Sequence, residues 1–385
     1  MQLSYWERKS FMSGYDTIII GAGIVGISAA LSLKDLEPNL KILVLERGFL
    51  PSGASTKNAG FACFGSVSEL LEDFRYMGEE QTLNLVAKRY AGLAALRART
   101  GDAEISFKQS GNYEVFKTGD DEIFETCASF IPILNQKIET ITGEKNTFNI
   151  SDANIPKFGF KDVSHLIFNK CEGKLDTGKM MHKLLTQARS KGIDFYFGAE
   201  VRKIDEEINK VVIHLQSDMV IEANKVLVAT NGFAAQLLPE LEVHPARNQV
   251  LVTHPYKTMK FSECFHYDRG YFYWREIDGR ILIGGGRNLF PEIESTDLMQ
   301  VNTAIQNHLI EMIKNWISPH EFPGIDMQWS GILGLGSVKY PIIKSVSQNV
   351  TVSVRMGGMG VALGTLAGLE GAKNLLGMHQ DQATA

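Results

Sequence analysis

Six residues near the N-terminus have the spacing of a phosphate-binding turn. They are Gly21, Ala22, Gly23, Ile24, Val25 and Gly26, and they form a G-x-G-x-x-G pattern between an apolar run at 18–20 and a predicted helix at 27–36. The first glycine allows a tight turn, the second lets a pyrophosphate reach the backbone, and the third lets the helix pack on the strand. The helix N-terminus then offers amide groups to the phosphate.

An acidic residue follows at the distance that this turn requires. Residues 41–46 read as a second buried strand that ends in Glu46, twenty residues after Gly26, with Arg47 next to it. An acidic side chain at that point accepts hydrogen bonds from ribose hydroxyls. We therefore predict a βαβ unit over residues 15–46 that binds an adenine dinucleotide, with Glu46 and Arg47 in the site.

The loop after this unit resembles that of a known family. Its residues Ala54, Ser55, Thr56, Asn58, Ala59, Gly60 and Phe61 match a Ser-x-x-Asn-x-Gly loop. The resemblance is to the FAD-dependent oxidoreductases grouped with D-amino acid oxidase, which include glycine oxidase, sarcosine oxidase and γ-glutamylputrescine oxidoreductase. In that family the loop lines the pyrophosphate and reaches the flavin, so the resemblance implies FAD.

Later segments extend the resemblance over most of the chain. Val201 follows a strand end similar to the one that reads the adenine in the family. Gly331 lies in a Trp-x-Gly pattern. Two further segments resemble the turn that closes over the dinucleotide and the C-terminal glycine turn: Ala229, Thr230, Asn231 and Gly232, then Gly357, Gly358, Met359, Gly360, Val361 and Ala362. In the family, the helix after the second turn stabilises negative charge on the reduced flavin.

The order of the motifs predicts an α/β architecture with a discontinuous first domain. We expect a Rossmann-like FAD-binding domain, with an inserted, mostly antiparallel β-sheet substrate domain. The predicted bounds are 1–100, 165–240 and 330–385 for the first domain, and 101–164 and 241–329 for the second. A helix is predicted over 297–316, and residues 1–14 are predicted to pack as an arm on the body.

Departures from the family pattern bear on substrate and cofactor attachment. In the family, the amino acid oxidases carry a carboxylate-binding Arg at the position of Leu333 in this chain. Sarcosine oxidase carries an oxygen-activating Lys at the position of Leu282 in this chain. A small α-amino acid is thus disfavoured, and the electron acceptor is oxygen or another molecule. Asn58 stands where some relatives attach flavin through His, and no cysteine follows Cys264, so the FAD is predicted to be non-covalent.

The substrate face is predicted from a strand rich in tyrosine. Alternation puts Tyr271, Tyr273 and Arg275 on one face, and the resemblance implies that this strand lines the substrate pocket. Arg247 lies in a segment similar to the family's Arg-x-Gln strand and is a further candidate. The alternative for Tyr271, Tyr273 and Arg275 is a packed edge strand without a role in substrate binding. The alternative for Arg247 is an ion pair between domains.

The predicted reaction is oxidation of a C–N bond in an amine or amino compound. Hydride transfer to flavin N5 gives an imine that water hydrolyses, so no side chain must act as acid or base. A C–OH oxidation of a 2-hydroxy acid is the alternative, and it needs a base such as a pocket His. A dinucleotide-binding sensor without turnover is the alternative of another class.

Composition excludes several partners. Lys and Arg number 39 against 44 Asp and Glu, which gives a net charge of −5 and argues against nucleic acid. Four cysteines without metal-ligand spacing argue against a metal site. The apolar run at 18–33 is shorter than the roughly 20 residues that span a membrane, so no transmembrane segment is predicted and the cytoplasm is the expected location.

Overall fold

The fold is built from two compact units. The structure is a computed structural model, and it describes residues 3–378. The first unit comprises the chain up to Thr56, Gly178–Ala246, and the chain from Leu333 onward. The second comprises Lys57–Thr177 and Arg247–Ile332, so the segment 57–100 packs in the second unit. These are units of packing, and the predicted division into FAD-binding and substrate domains stays a prediction.

Helices and strands alternate along most of the chain. The α-helices are α1 (Tyr5–Phe11), α2 (Ile24–Leu36), α3 (Ala54–Lys57), α4 (Val67–Met77), α5 (Glu79–Thr100), α6 (Asp121–Thr142), α7 (Ile155–Phe158), α8 (Thr177–Ser190), α9 (Ala234–Leu237), α10 (Pro291–Glu294), α11 (Thr303–Met312) and α12 (Gly360–Leu375). The strands are β1 (Tyr15–Ile20), β2 (Ile42–Glu46), β3 (Phe61–Ala62), β4 (Asn112–Lys117), β5 (Phe148–Ile150), β6 (Val163–Asn169), β7 (Gly173–Lys174), β8 (Asp194–Phe197), β9 (Val201–Glu207), β10 (Lys210–Leu215), β11 (Val220–Val228), β12 (His244–Thr253), β13 (Cys264–Tyr267), β14 (Phe272–Ile277), β15 (Arg280–Gly285), β16 (Ile325–Leu335), β17 (Ile342–Ser345) and β18 (Val350–Val354).

A largely parallel sheet forms the centre of the first unit. Its order is β17-β18-β11-β1-β2-β8, with β10 and β9 added beside β11. β1 runs parallel to both β2 and β11, and its Ile20 pairs with Leu45 on one side and Val228 on the other. The carboxyl ends of these three strands therefore meet at one sheet edge, which is where parallel α/β sheets bind ligands.

Glycines let α2 and α12 cross at close range. A Cβ atom on Gly368 would lie 2.6 Å from the Val25 carbonyl oxygen and 2.7 Å from the Ala29 nitrogen. On Gly364 a Cβ atom would lie 2.5 Å from a methyl carbon of Ile24. The helix that opens at the phosphate-binding turn is thus packed directly on the C-terminal helix.

A mostly antiparallel sheet forms the second unit, as predicted. Its order is β16-β12-β15-β14-β13-β4-β6-β5, and β13 and β4 form a parallel pair within it. One face carries an aromatic core in which Trp274 stacks on Phe265 with ring centroids 5.5 Å apart. The opposite face carries Tyr273 and Arg275, because side chains alternate along β14.

One local prediction is wrong at its start. The helix predicted over 297–316 begins at Thr303, where the Asn302 side chain accepts hydrogen bonds from the amides of Ala304 and Ile305, and a short π-helical turn follows it. The segment predicted as an arm contacts the body at its end, where the Tyr196 hydroxyl donates to the Phe11 carbonyl oxygen. Its aromatic residues Tyr5 and Trp6 in α1 are nevertheless 66% and 68% exposed.

The described residues contain no helix that combines the length and the apolar character of a membrane span.

The close helix crossing yields a stability prediction. Alanine usually stabilises a helix interior by about 1 kcal/mol relative to glycine. Gly368→Ala should instead lower the free energy of unfolding by about 2 kcal/mol, because its Cβ would meet backbone atoms of α2. Gly360→Ala is the control in the same helix, since its nearest atom would be the Met356 Cβ at 3.8 Å. Urea unfolding of both apoproteins measures the difference; equal stability of the two variants would contradict this packing.

Candidate functional site

The turn after β1 admits only glycine at two of its positions. Gly21 has a φ of +109° and its Cβ would lie 2.8 Å from the Ala229 carbonyl oxygen. A Cβ on Gly26 would lie 1.9 Å from the Gly21 oxygen. The Ile24 amide donates to Ser55 Oγ at 2.9 Å, so Ser55 lies at the N-terminus of α2. The sequence pattern and the tight turn therefore agree.

Glu46 organises the neighbouring strand end. Its carboxylate is 8% exposed and accepts hydrogen bonds from the amides of Ala22 at 3.1 Å and Gly48 at 3.0 Å. The Ala199 amide donates to the Glu46 carbonyl oxygen, which brings the start of β9 at Val201 to this edge. The next side chain, Arg47, lies over the Phe233 ring at 3.8 Å.

The segment after β11 contains a buried hydroxyl group without a partner. Thr230 Oγ1 has no hydrogen bond to any residue that the structure describes. Its neighbour Asn231 accepts hydrogen bonds from the amides of Arg355 and Met356, both at 3.1 Å, and so ties β11 to the C-terminal turn. Gly232 is buried beside them. A ligand with a polar group at this edge would satisfy Thr230.

The C-terminal turn is open where a ligand would approach it. Apart from the immediate chain neighbours, no atom of the described residues lies within 4 Å of a Cβ built on Gly357 or Gly358. α12 begins at Gly360, and its N-cap residue Met359 makes no side-chain capping hydrogen bond to the first amides, among them those of Val361 and Ala362. Open space beside uncapped helix amides, together with the Thr230 hydroxyl, fits the phosphates and carbonyl groups of FAD.

The remaining loop residues are held by short local contacts. Ala54, Ser55 and Thr56 form most of the single-turn helix α3, and Thr56 Oγ1 donates to the Pro51 oxygen at 2.6 Å. Asn58 Oδ1 accepts from the Gly60 amide at 2.8 Å and the Thr177 hydroxyl at 3.1 Å.

Within the second unit the part of this loop after Lys57 lies beside β14, the strand predicted to line the substrate pocket. Ala59 is buried, and Phe61 meets the Tyr273 ring edge-on at 5.5 Å. A Cβ on Gly331 would lie 3.1 Å from Lys57 Cβ, so β16 approaches the same loop.

Arg275 is a buried cation without a partner of its own. It is 4% exposed, and its guanidinium has no hydrogen bond or ion pair to any part of the chain between residues 3 and 378. Burial lowers the pKa of its guanidinium, although Glu276, Asp176 and Asp278 act on it from beyond ion-pair distance. Its Nη2 lies 3.1 Å from the position of a Cβ on Gly60. Such a charge is costly to bury unless a ligand pairs with it.

The two predicted tyrosines have different surroundings. Tyr273 is on the strand, and its hydroxyl accepts a hydrogen bond from Asn248 Nδ2 at 2.9 Å. Burial raises the pKa of Tyr273 well above its ordinary value. Tyr271 precedes the strand and packs beside the aromatic core, with the guanidinium of Arg287 5.1 Å from its ring centroid.

Arg247 is held within its own unit. Its Nε and Nη2 form two hydrogen bonds to the buried Glu294 carboxylate, at 2.9 and 2.7 Å. The remaining nitrogen donates to the Leu298 oxygen. These contacts correspond to an ion-pair role, and Arg247 has no place in the substrate site proposed below.

Sequence reasoning missed a row of buried polar residues on the sheet face that carries Tyr273 and Arg275. His266 pairs across the strands with Tyr273 on one side and Glu114 on the other. Asn112 Nδ2 donates to Glu172 at 2.8 Å, so its Oδ1 accepts from His266 Nδ1 at 3.1 Å. The lone pair then lies on His266 Nε2, which has no partner in the described chain. Burial lowers the pKa of His266 to about 4.

Two buried carboxyl groups flank this row. Burial raises the pKa of Glu114 and of Glu172 to about 7. The hydrogen bonds that these carboxylates accept lower the pKa, but by less than burial raises it. Glu114 accepts from the hydroxyl and amide of Ser68. Glu172 accepts from the amides of Phe64 and Gly65 at 2.8 and 3.0 Å. Only the folded cross-strand register brings these residues together, and no linear motif marks them.

Glu114 yields a prediction for stability against pH. Its pKa is 4.5 in an unfolded chain and about 7 in the fold, so the folded protein holds more protons between these values. Raising the pH through that window lowers the free energy of unfolding, by about 3 kcal/mol for this group.

The matched variant is Glu114→Gln. Between pH 4.5 and 7 its free energy of unfolding should fall less than that of the wild type. Urea unfolding at several pH values measures it. Glu122→Gln, at an exposed position of α6, is the control and should follow the wild type. Identical profiles for Glu114→Gln and the wild type would show that Glu114 is ionised in the fold.

Comparison with curated proteins finds two distant relatives. The chain is 24% identical over 241 residues to the bifunctional protein ThiO/ThiG of Synechocystis sp., covering 61% of this chain and 32% of that protein. It is 25% identical over 238 residues to L-2-hydroxyglutarate dehydrogenase of Escherichia coli, covering 60% and 51%. The matched part thus spans about half or less of each relative.

Solved structures share the whole fold. L-proline dehydrogenase from P. horikoshii superposes with a TM-score of 0.76 at 16% identity, covering 97% of this chain and 96% of that one. Glycine oxidase from Geobacillus kaustophilus and iminodiacetate oxidase from Chelativorans sp. each give a TM-score of 0.74 at 20% identity, covering 95% and 96%. These likenesses establish the α/β fold.

The family model described as FAD dependent oxidoreductase (DAO) matches residues 16–373. That span includes the glycine turn, the Thr230 segment, β14 and the start of α12. The chain therefore belongs to the DAO family of FAD-dependent oxidoreductases.

Proposed function

We propose that this FAD-dependent oxidoreductase oxidises a C–N bond of an amino compound that carries a carboxylate away from the reacting carbon. The observation that carries the proposal is the buried, unpaired guanidinium of Arg275 beside Tyr273. A carboxylate would supply the missing counter-charge through charge-assisted hydrogen bonds. Leu333, where the family's amino acid oxidases have an arginine, supports a carboxylate held elsewhere.

The amino part of the proposal draws on the structural neighbours. By their names, L-proline dehydrogenase, glycine oxidase and iminodiacetate oxidase act on amino compounds. Bound FAD supplies the hydride acceptor. Arg275 holds the anionic end, Tyr273 orients the substrate with its free O–H, and the apolar side chains of Val250, Val252 and Leu282 exclude water from that face.

We also propose that the cofactor residues predicted from the sequence bind FAD together. The turn at 21–26, Glu46, Arg47 and Val201 would hold the adenosine and pyrophosphate portions, with the loop at 54–61. The segments 229–232 and 357–362, with Gly331, would hold the flavin portion. Non-covalent attachment, the cytoplasmic location and the identity of the electron acceptor stay predictions from the sequence.

A second candidate reaction is oxidation of a 2-hydroxy acid, and His266 favours it. Its unpaired Nε2 lies on an imidazole that burial keeps neutral, in the same cross-strand row as Tyr273. A hydroxyl substrate must lose a proton, and such a nitrogen accepts one. The match to L-2-hydroxyglutarate dehydrogenase points the same way. A pKa near 4 makes this imidazole a weak base, which is why the reaction ranks second.

FAD affinity tests the cofactor site directly. Thr230→Val removes a hydroxyl that no described residue uses, so the apoprotein should fold as before. The dissociation constant of FAD should rise about five- to tenfold, the effect of one lost hydrogen bond. Ser32→Ala removes another buried, unpartnered hydroxyl, on α2, and should leave FAD affinity unchanged. Titration of apoprotein with FAD measures both; equal affinities would remove Thr230 from the site.

Anaerobic flavin reduction tests the reaction. The panel contains simple amines, α-amino acids, amino compounds with a distal carboxylate, and 2-hydroxy acids. We expect fastest reduction by the third group. Arg275→Gln should keep FAD bound but raise the apparent dissociation constant of these substrates by a hundredfold or more, with Arg275→Lys restoring part of it. Faster reduction by 2-hydroxy acids would favour the second candidate.

A further inference from the structure

A buried lysine lies beside Arg275 in the second unit. Lys174 is 7% exposed and belongs to β7, which forms a two-stranded ribbon with β3. The amide of the next residue, Leu175, donates to the Gly60 carbonyl oxygen at 2.9 Å. A Cβ atom on Gly60 would lie 3.1 Å from Arg275 Nη2, so the ribbon lies against the Arg275 guanidinium.

The residue before Lys174 approaches Arg275 from the neighbouring strand. Cys264 pairs with Arg275 across β13 and β14. Its Sγ atom lies 3.9 Å from the Gly173 carbonyl oxygen, to which the thiol donates. The chain on both sides of Lys174 is therefore in contact with the immediate surroundings of Arg275.

Lys174 differs from Arg275 because it has a counter-ion. Its Nζ atom donates to Glu276 Oε2 at 2.9 Å and to the Glu276 carbonyl oxygen at 3.3 Å. The other carboxylate oxygen of Glu276 accepts from the Gly279 amide at 3.0 Å. Burial raises the pKa of Glu276, but the hydrogen bonds from Gly279 and Lys174 bring it below its ordinary value. Both oxygens of this carboxylate are thus occupied.

The position of Glu276 makes its charge relevant to an anion at Arg275. Glu276 directly follows Arg275, and adjacent side chains leave a strand on opposite faces. Lys174 nevertheless reaches the Glu276 carboxylate from the ribbon beside Arg275, so the two charges lie close together. Without its partner, this carboxylate would repel a second carboxylate and attract the guanidinium, with little screening by water.

We propose that Lys174 is a positioning residue for substrate specificity, which keeps Arg275 available to a substrate carboxylate by neutralising Glu276. The inference rests on the proposed function, in which Arg275 binds that carboxylate. Lys174 acts through Glu276 and does not touch the substrate. Its loss should therefore weaken the binding of a carboxylate and leave the binding of a neutral group of similar shape unchanged.

Calorimetric titration of the FAD-loaded protein at low salt tests this role. The probes are the unreactive monocarboxylates from acetate to hexanoate and their primary amides, which have a similar shape and no charge. In the wild type, at least one acid should bind ten times more tightly than its amide, and Arg275→Gln should abolish that preference. Failure of this first comparison would overturn the proposed function and the inference with it.

Variants of the ion pair then test Lys174 itself. Lys174→Met should weaken the binding of that acid at least tenfold and keep the affinity of its amide within twofold of wild type. Glu276→Gln removes the opposing charge and should bind the acid as tightly as the wild type or more tightly. The double variant should bind it within threefold of wild type. Lys170→Met breaks a more exposed pair with Glu144 and is the control without effect on either probe.

Three results would overturn the inference while the proposed function stands. One is unchanged acid affinity in Lys174→Met. Another is a double variant as weak as Lys174→Met, which would assign the loss to packing, as would an equal loss for the amide. If Lys174→Met does not fold, Glu276→Gln decides, because weaker acid binding there would show that the Glu276 carboxylate supports binding.

Discussion

The buried charge of Arg275 is the constraint on which the proposed function depends. A guanidinium removed from water is costly, and residues 3–378 provide no carboxylate at ion-pair distance to offset that cost. The strand cannot release it easily, because Trp274, the residue before it, is fully buried in the aromatic core on the opposite face. Under the proposed function, the fold holds this cation in place for the carboxylate of a substrate.

The first unit also contains polar groups without partners in the described chain, and these groups are neutral. Gly21 and Gly26 allow the turn after β1, and Gly368 allows α12 to pack on the helix that begins there. The N-cap side chain of α12 makes no capping hydrogen bond, and the buried hydroxyl of Thr230 has no partner among the residues that the structure describes. The chain belongs to an FAD-dependent family, and the proposed cofactor site uses these groups because FAD carries phosphates and carbonyls that would complement them.

Sequence reasoning succeeded where local chemistry decides the structure. The glycine turn, Glu46 and the order of the motifs predicted the α/β fold and FAD, because a tight turn admits few residue types. It failed where contacts join distant segments. Neither the pairing of Arg247 with Glu294 nor the position of His266 opposite Tyr273 is visible before the strands are in register.

A crystal structure of the FAD-loaded protein with an unreactive carboxylate ligand would test the central claim most directly. The account predicts a ligand carboxylate oxygen within about 2.7–3.2 Å of the Arg275 guanidinium nitrogens, the range of a hydrogen bond. Arg275 bonded instead to a carboxylate of the protein, with the ligand bound elsewhere, would contradict it.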